Sequence, residues 1–342
     1  MRIVLQLPEV KREKEERPSR CPYCKGEIFQ RWGFVLRQIK DTKVRSVKIP
    51  RYKCTSCKST FRFYPEGVSS SQQSERLKKV CVVMWSLGLS HRNVVLILSV
   101  FSLDLSHMSV WRDLQQAGQA IRRKLKWKPV RVAGIDGAWV NGKGIMIAIN
   151  IRNGELLELV EIDEKEKAKL EAWLRILKQK HEISAIVTDD LATYKEIADE
   201  LGLAHQVCQF HVRRWVGKAL KKLEEGMAEE WLYVIPIIRD LIDGLPKDGG
   251  KLLYNLWKGM PSRTTAPKEK RTSLEQLRDL VLRLSRDWER YTEFYSDPGI
   301  PWTNNRTEQS IGRLKSRAKR VRGYKTSMGM EIGSLVAAQF WT

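Results

Sequence analysis

Three carboxylates in the second half of the chain stand where acids are costly. Asp136 interrupts the apolar run RVAGIDGAWV, Asp189 closes ISAIVT, and Glu308 lies near the start of the basic segment TNNRTEQSIGRLKSRAKRVRGY. A carboxylate at a strand end in a buried sheet is unfavourable unless a cation offsets it. A pair of divalent metal ions is the usual offset where phosphodiesters are cut. The expected ligand set is therefore Asp136, Asp189 and Glu308, the expected ions two Mg²⁺ or Mn²⁺, and the expected chemistry in-line displacement at phosphorus.

Each acid also has a plainer reading. Strand alternation sends the Asp136 side chain opposite to that of Ile135, and Gly137 leaves room for a substrate backbone beside it. Asp189 is followed by Asp190, and a helix is expected from about Ala192, so one of the pair suits an N-cap. That role is assigned to Asp190. Asn305-Arg-Thr-Glu308 reads equally as a capping box, with the glutamate turned back to the cap N–H. The three acids together, in this order on these elements, favour the metal site. Helical spacing agrees: Gly312, Lys315, Lys319 and Arg322 follow Glu308 on one face, beside an apolar stripe of Ile311, Leu314, Ala318 and Val321. Such a helix can run a DNA backbone past a metal site.

A second metal is expected near the N-terminus. Cys21-Pro-Tyr-Cys24-Lys-Gly and Cys54-Thr-Ser-Cys57-Lys-Ser share one form, two thiols two residues apart, then a basic and a small residue. This is the knuckle pattern of a structural Zn²⁺ site, whose four protein ligands leave no open position. Cys81 falls on an apolar helical stretch as a core residue. Six cysteines arranged as two pairs and two singles suit a reducing compartment better than a disulfide framework. A cytoplasmic, nucleoid-associated location is expected, and the N-terminus does not read as a secretory signal.

The elements that must position these residues follow in order. Residues 1–20 read as a charged lead-in, 21–64 as a zinc ribbon with one or two hairpins, and PEGVSSSQQS as a linker. Residues 75–126 read as three helices with a short break, SLDLS, before the third, which fits a helix-turn-helix. His107, Ser109 and Arg112 would then face bases in the major groove, while a plain helical bundle or dimerisation domain is the competing reading. From 130 to 342 the order is three strands, a helix, then β-α-β. That is the order of an RNase H-like domain, with an all-α insertion over about 212–300. No glycine fingerprint of a doubly wound nucleotide-binding fold follows the first strand. The fold class is thus multidomain α/β. The chain has 342 residues and a formal charge of +22, which fits a polyanionic partner, double-stranded DNA before a membrane surface. No run approaches about 18 apolar residues, so no spanning helix is expected.

The chain resembles DDE transposases of prokaryotic insertion sequences, of the kind related to eukaryotic Mutator-like elements. The resemblance covers roughly residues 21–342 and rests on GIDGAW, VTDDLATY, Cys208-Gln-Phe-His211 and TNNRTEQSIGRLKSR. Separations of 53 residues from Asp136 to Asp189 and 119 from there to Glu308 suit a member bearing an insertion. Asp190 stands where the pattern often has Gly. The resemblance implies nicking at transposon terminal repeats, strand transfer into target DNA, and a homo-oligomer on DNA. It places Cys208 and His211 in the active-site surround rather than as zinc ligands, with a buried thiol and a helix-start histidine as the competing reading; Asp190, Asn305, Lys315 and Lys319 are expected in the same surround and Arg322 on the DNA. A transposase-derived DNA-binding protein without catalysis is the alternative function. A junction resolvase of the same fold leaves the N-terminal modules and the insertion unexplained.

Overall fold

The computed structural model describes residues 6–14, 16–125, 128–140, 142–262, 271–320, 324 and 326–339. These fall into two compact units, one formed by residues up to Lys124 together with those from Arg317 on, the other by Leu125 and residues 128–316.

In the first unit, β1 (Phe29–Gln38), β2 (Ser46–Cys54) and β3 (Thr60–Arg62) form an antiparallel sheet in that order. Its two ends have separate small cores. Val47 and Ile49 pack with Val10, Ile39, Val44 and Val68, whereas Tyr52 and Cys54 pack with Cys21 and Phe61. Three helices follow: α1 (Glu75–Ser86), α2 (His91–Val100) and α3 (His107–Lys124). Each begins where a serine hydroxyl can accept an otherwise orphaned N–H, Ser74 from Leu77, Ser90 from Asn93 and Ser106 from Ser109. Their shared core includes Leu77, Cys81, Val94, Leu98 and Val110. Burial of each such aliphatic side chain contributes about 1.5–3 kcal/mol.

The sequence reading places all residues from 130 to 342 in one domain, but the compact units divide differently. The terminal helix α11 (Ser327–Gln339) packs on α3, and Val336 joins Val82, Trp85 and Leu114. A Cβ at Gly118 of α3 would lie 2.7 Å from the Ile332 side chain, so this approach requires glycine.

In the second unit, β4 (Val132–Val140), β5 (Lys143–Asn150) and β6 (Leu156–Val160) run antiparallel. They are followed by α4 (Lys167–His181), β7 (Ala185–Thr188), α5 (Ala192–Leu201) and β8 (Ala204–Val207). The sheet order is β6-β5-β4-β7-β8, with β7 parallel to both β4 and β8. This is the topology of an RNase H-like fold. Its central strands are apolar on both faces because helices cover them. Helices α6 (Gln209–Glu224), α7 (Val234–Gly244), α8 (Gly249–Gly259) and α9 (Ser273–Tyr291) then build a core of their own around Leu220, Ile238, Leu253 and Val281. A capping box of Thr272 and Glu275 starts α9. The helical segment begins at Gln209, within the Cys-x-x-His motif. Helix α10 (Asn305–Arg320) carries Glu308.

Candidate active site and metal centres

Parallel pairing of β4 with β7 sets Gly134 opposite Val187. Two residues beyond this pair stand Asp136, still within β4, and Asp189, just past the end of β7, near enough for each carboxylate to sit in the region of the other. Burial pushes the Asp136 carboxyl up to about 7, helped by the negative potential of Asp189 and Glu164. The Gly137 N–H, which donates to Asp136 Oδ1 at 2.7 Å, and the nearby His211 act in the opposite direction. Asp189 is likewise pushed up to about 7, by burial first and then by Glu164 and Asp190. Its Oδ1 is buried without a hydrogen-bond partner. Neither Asp136 nor Asp189 is ion-paired to a lysine or arginine among the described residues. Two adjacent carboxylates that resist ionisation and have an oxygen to spare suit a hard divalent cation, which would supply the missing charge.

The start of α10, which carries Glu308, sits directly on β4, but among the described residues Asp136, Asp189 and Glu308 do not form a group whose ligand atoms all lie within 4.8 Å of one another. A Cβ at Gly134 would fall 2.2 Å from Thr307 Oγ1 and 2.7 Å from Asn304 Oδ1. The Asn304 side-chain amide donates to the Ile135 carbonyl at 2.9 Å, its backbone N–H donates to Cys208 Sγ at 3.3 Å, and the Thr307 hydroxyl donates to its Oδ1. Asn304 is therefore the asparagine built into the site, and Asn305 is exposed. Nor does the capping-box reading hold for Glu308. Its carboxylate meets His211 Nε2 at 3.0 Å, and the Cys208 thiol donates to it at 3.9 Å.

The assignment of Asp190 as the α5 cap is also corrected. Leu191 occupies the cap position and no side chain caps this helix. Asp190 is instead the buried hub of an ion-pair network: Lys195 Nζ lies 2.6 Å and Arg283 Nη2 2.8 Å away, with the Tyr291 hydroxyl at 3.5 Å. Asp287 closes the network by meeting Lys195 at 2.5 Å. Helix α9 thereby holds the residue next to Asp189.

One acidic residue here carried no sequence signal. Glu164 follows β6 within an ordinary charged run, Asp163-Glu164-Lys165-Glu166. In the fold it accepts from the hydroxyl of fully buried Tyr194, and a Cβ at Gly137 would lie 3.2 Å from its carboxylate. Gly137 thus makes room for Glu164.

The sequence profile of the ISL3 transposase family matches residues 134–322, a span that contains Asp136, Asp189, the Cys-x-x-His motif and Glu308. The chain belongs to this transposase family. It is also similar to a protein of insertion element ISM1 from Methanobrevibacter smithii, described as an uncharacterized 48.3 kDa protein. The two are 21% identical over 345 residues, covering 94% of this chain and 82% of that protein. Among solved structures, the catalytic core domain of BIV integrase aligns with 32% of this chain and 82% of that one, at 15% identity and a TM-score of 0.21.

In the transposase-family chain, the four knuckle cysteines converge. Their sulfurs all lie within 4.8 Å of one another, with Cys21–Cys57 at 3.8 Å and Cys24–Cys54 at 3.5 Å. Four sulfurs about 2.3 Å from one tetrahedral ion stand about 3.8 Å apart. Lys25 and Lys58, the residues after each pair, both adopt a left-handed backbone, at φ 63° and 60°. The Ser59 backbone holds the Cys57 thiol below its ordinary range, which favours the thiolate a metal needs. His107 and Arg112 are exposed at the start of α3, whereas the Ser109 hydroxyl is engaged with that of Ser106 at 3.0 Å. Lys315 and Lys319 are exposed on α10. Arg322 and Val321 lie outside the described residues. No helix among the described residues is long and apolar enough to cross a membrane.

Proposed function

We propose that the chain is a DDE transposase that binds the ends of an insertion element and both nicks and joins DNA strands there. The observation that carries this reading is the proximity of Asp136 on β4 to Asp189 just past the end of β7, with no lysine or arginine paired to either among the described residues, inside the span that matches the transposase family. Asp136, Asp189 and Glu308 would hold Mg²⁺ or Mn²⁺. Such ions, when bound, activate an oxygen nucleophile and stabilise in-line displacement at phosphorus.

The chain's own residues supply the rest. Asp136 and Asp189 fix one face of the site, and Glu164, held by Tyr194, adds negative charge beside them. Asn304 and Thr307 anchor the first turn of α10 on β4 and so place Glu308. Exposed Lys315 and Lys319 lie along the same helix as phosphate contacts. In the first unit, Cys21, Cys24, Cys54 and Cys57 would hold a structural Zn²⁺ as a ribbon. The three helices would act as a helix-turn-helix, with His107 and Arg112 directed to base edges. Ser109 contributes less, because its hydroxyl is already bonded. A homo-oligomer on double-stranded DNA, in the cytoplasm at the nucleoid, and a wider relation to Mutator-like elements complete the reading.

The test uses labelled DNA from the ends of the element that carries the gene. Asp136→Asn, Asp189→Asn and Glu308→Gln are each expected to abolish nicking and strand transfer in Mg²⁺ and Mn²⁺, with binding of the ends nearly intact. Cutting by all three variants would refute the assignment. Binding without cutting by the native chain would leave a transposase-derived DNA-binding protein.

A further inference from the structure

The structure brings Cys208, His211 and Glu308 together although 97 to 100 residues separate Glu308 from the other two. Cys208 caps α6 and His211 lies three residues on, so helical geometry turns both toward one side. The first turn of α10 supplies the glutamate. One ligand atom from each, Sγ, Nε2 and a carboxylate oxygen, falls within 4.8 Å of the others.

We infer that these three side chains form a site for a transition-metal ion of the Zn²⁺ type, distinct from the Asp136–Asp189 pair and from the four-cysteine cluster. Metal–ligand lengths of about 2.0 Å for O and N and 2.3 Å for S place tetrahedral N and O donors about 3.3 Å apart, and S and O donors about 3.5 Å apart. The observed separations are 3.0 Å for His211 Nε2 to Glu308 Oε1 and 3.9 Å for Cys208 Sγ to the same oxygen. Both lie within about half an ångström of those values, so small side-chain rotations would seat an ion. The donor chemistry selects the metal: a thiolate and an imidazole with one carboxylate suit Zn²⁺ or Co²⁺, whereas Mg²⁺ demands oxygen.

The surroundings agree. The Asn304 N–H that donates to Cys208 Sγ is the outer hydrogen bond by which metal-bound thiolates are stabilised. Cys208 is fully buried, while the side chains of His211 and Glu308 are 34% and 32% exposed, so an ion has a route in. No fourth His, Cys, Asp or Glu joins the group among the described residues, which leaves a coordination position for water or a phosphate oxygen. Binding would release the thiol proton of Cys208. The inference shares Glu308 with the proposed active site but does not depend on DNA being cut.

The experiment is metal analysis of the full chain after loading with zinc chloride and removal of free ion. The native chain is expected to hold one more zinc per chain than His211→Ala, and Cys208→Ser is expected to show the same loss. His211→Ala removes a half-exposed side chain at a helix start, so it carries the test should Cys208→Ser fail to fold. Cobalt loading gives a second readout: the native chain should show more thiolate-to-metal absorption than Cys208→Ser. Equal zinc in the native chain and His211→Ala overturns the site, and nicking by the native chain in Mg²⁺ would still stand. Zinc lost as expected, with no cutting of element ends by any form, would support the site and sink the transposase reading instead.

Discussion

Asp136→Asn should stabilise the second unit when Mg²⁺ and Mn²⁺ are absent, because the native carboxylate is ionised against its surroundings. Its carboxyl is raised from 3.8 to about 7, chiefly by burial, with Asp189 and Glu164 adding to the effect. At about 1.4 kcal/mol per unit, a shift of about three units sets a ceiling near 4 kcal/mol. Asp136 is only partly buried and titrates together with Asp189, so solvent screening and sharing bring the expected gain to about 1–2 kcal/mol. For a unit of this size that is a rise of about 2–8 °C in Tm. The sign with pH follows from the raised value. The cost is absent below the ordinary carboxylate range, grows as pH rises from about 4 to 7, and is complete above 7. The gain in the variant should therefore be present at pH 8 and gone near pH 4. Millimolar Mg²⁺ should raise the native Tm at pH 8 and leave that of the variant nearly unchanged, since binding to the native state alone stabilises it. The assay is thermal unfolding followed at both pH values, with the divalent ions omitted rather than chelated so that the four-cysteine cluster stays intact. A variant no more stable than the native chain at pH 8, or equally stabilised near pH 4, would refute the reasoning.

Asp190→Asn should destabilise the second unit by about 1–3 kcal/mol, less than for a fully buried ion pair because Asp287 still faces Lys195 and Arg283 is half exposed. Denaturant unfolding measures it, and an unchanged midpoint would refute a stabilising role for this network. Cys21→Ser with Cys54→Ser should remove the zinc of the four-cysteine cluster, as metal analysis would show; unchanged content would contradict the convergence of the four sulfurs. Arg112→Ala should weaken binding to the specific DNA end by about 1–3 kcal/mol in a titration if the guanidinium reads a base edge. An equal loss on random DNA makes it a phosphate contact, and no loss on either removes it from the interface.

Local rules sufficed for the elements. Serine caps at Ser74, Ser90 and Ser106, the paired cysteines, and the order of strands and helices from β4 to β8 are short-range features, each written in a few neighbouring residues. Asp136 and Asp189 stood out because an acid in an apolar strand is conspicuous whatever surrounds it. Where side chains from distant segments meet, the sequence was silent or misleading. Asp190 looked like a cap until α9, about 90 residues on, supplied Arg283 and Asp287. Asn305 is the asparagine expected at the site, and adjacent asparagines are alike in sequence; the seating of α10 on Gly134 turns Asn304 inward instead. Glu164 sits among other charges and shows its place only through Tyr194. The pairing of Glu308 with Cys208 and His211 is of the same kind. Secondary structure follows from interactions over a few residues, whereas the partner of a buried polar group is set by which segments the core packs together, and no local pattern encodes that.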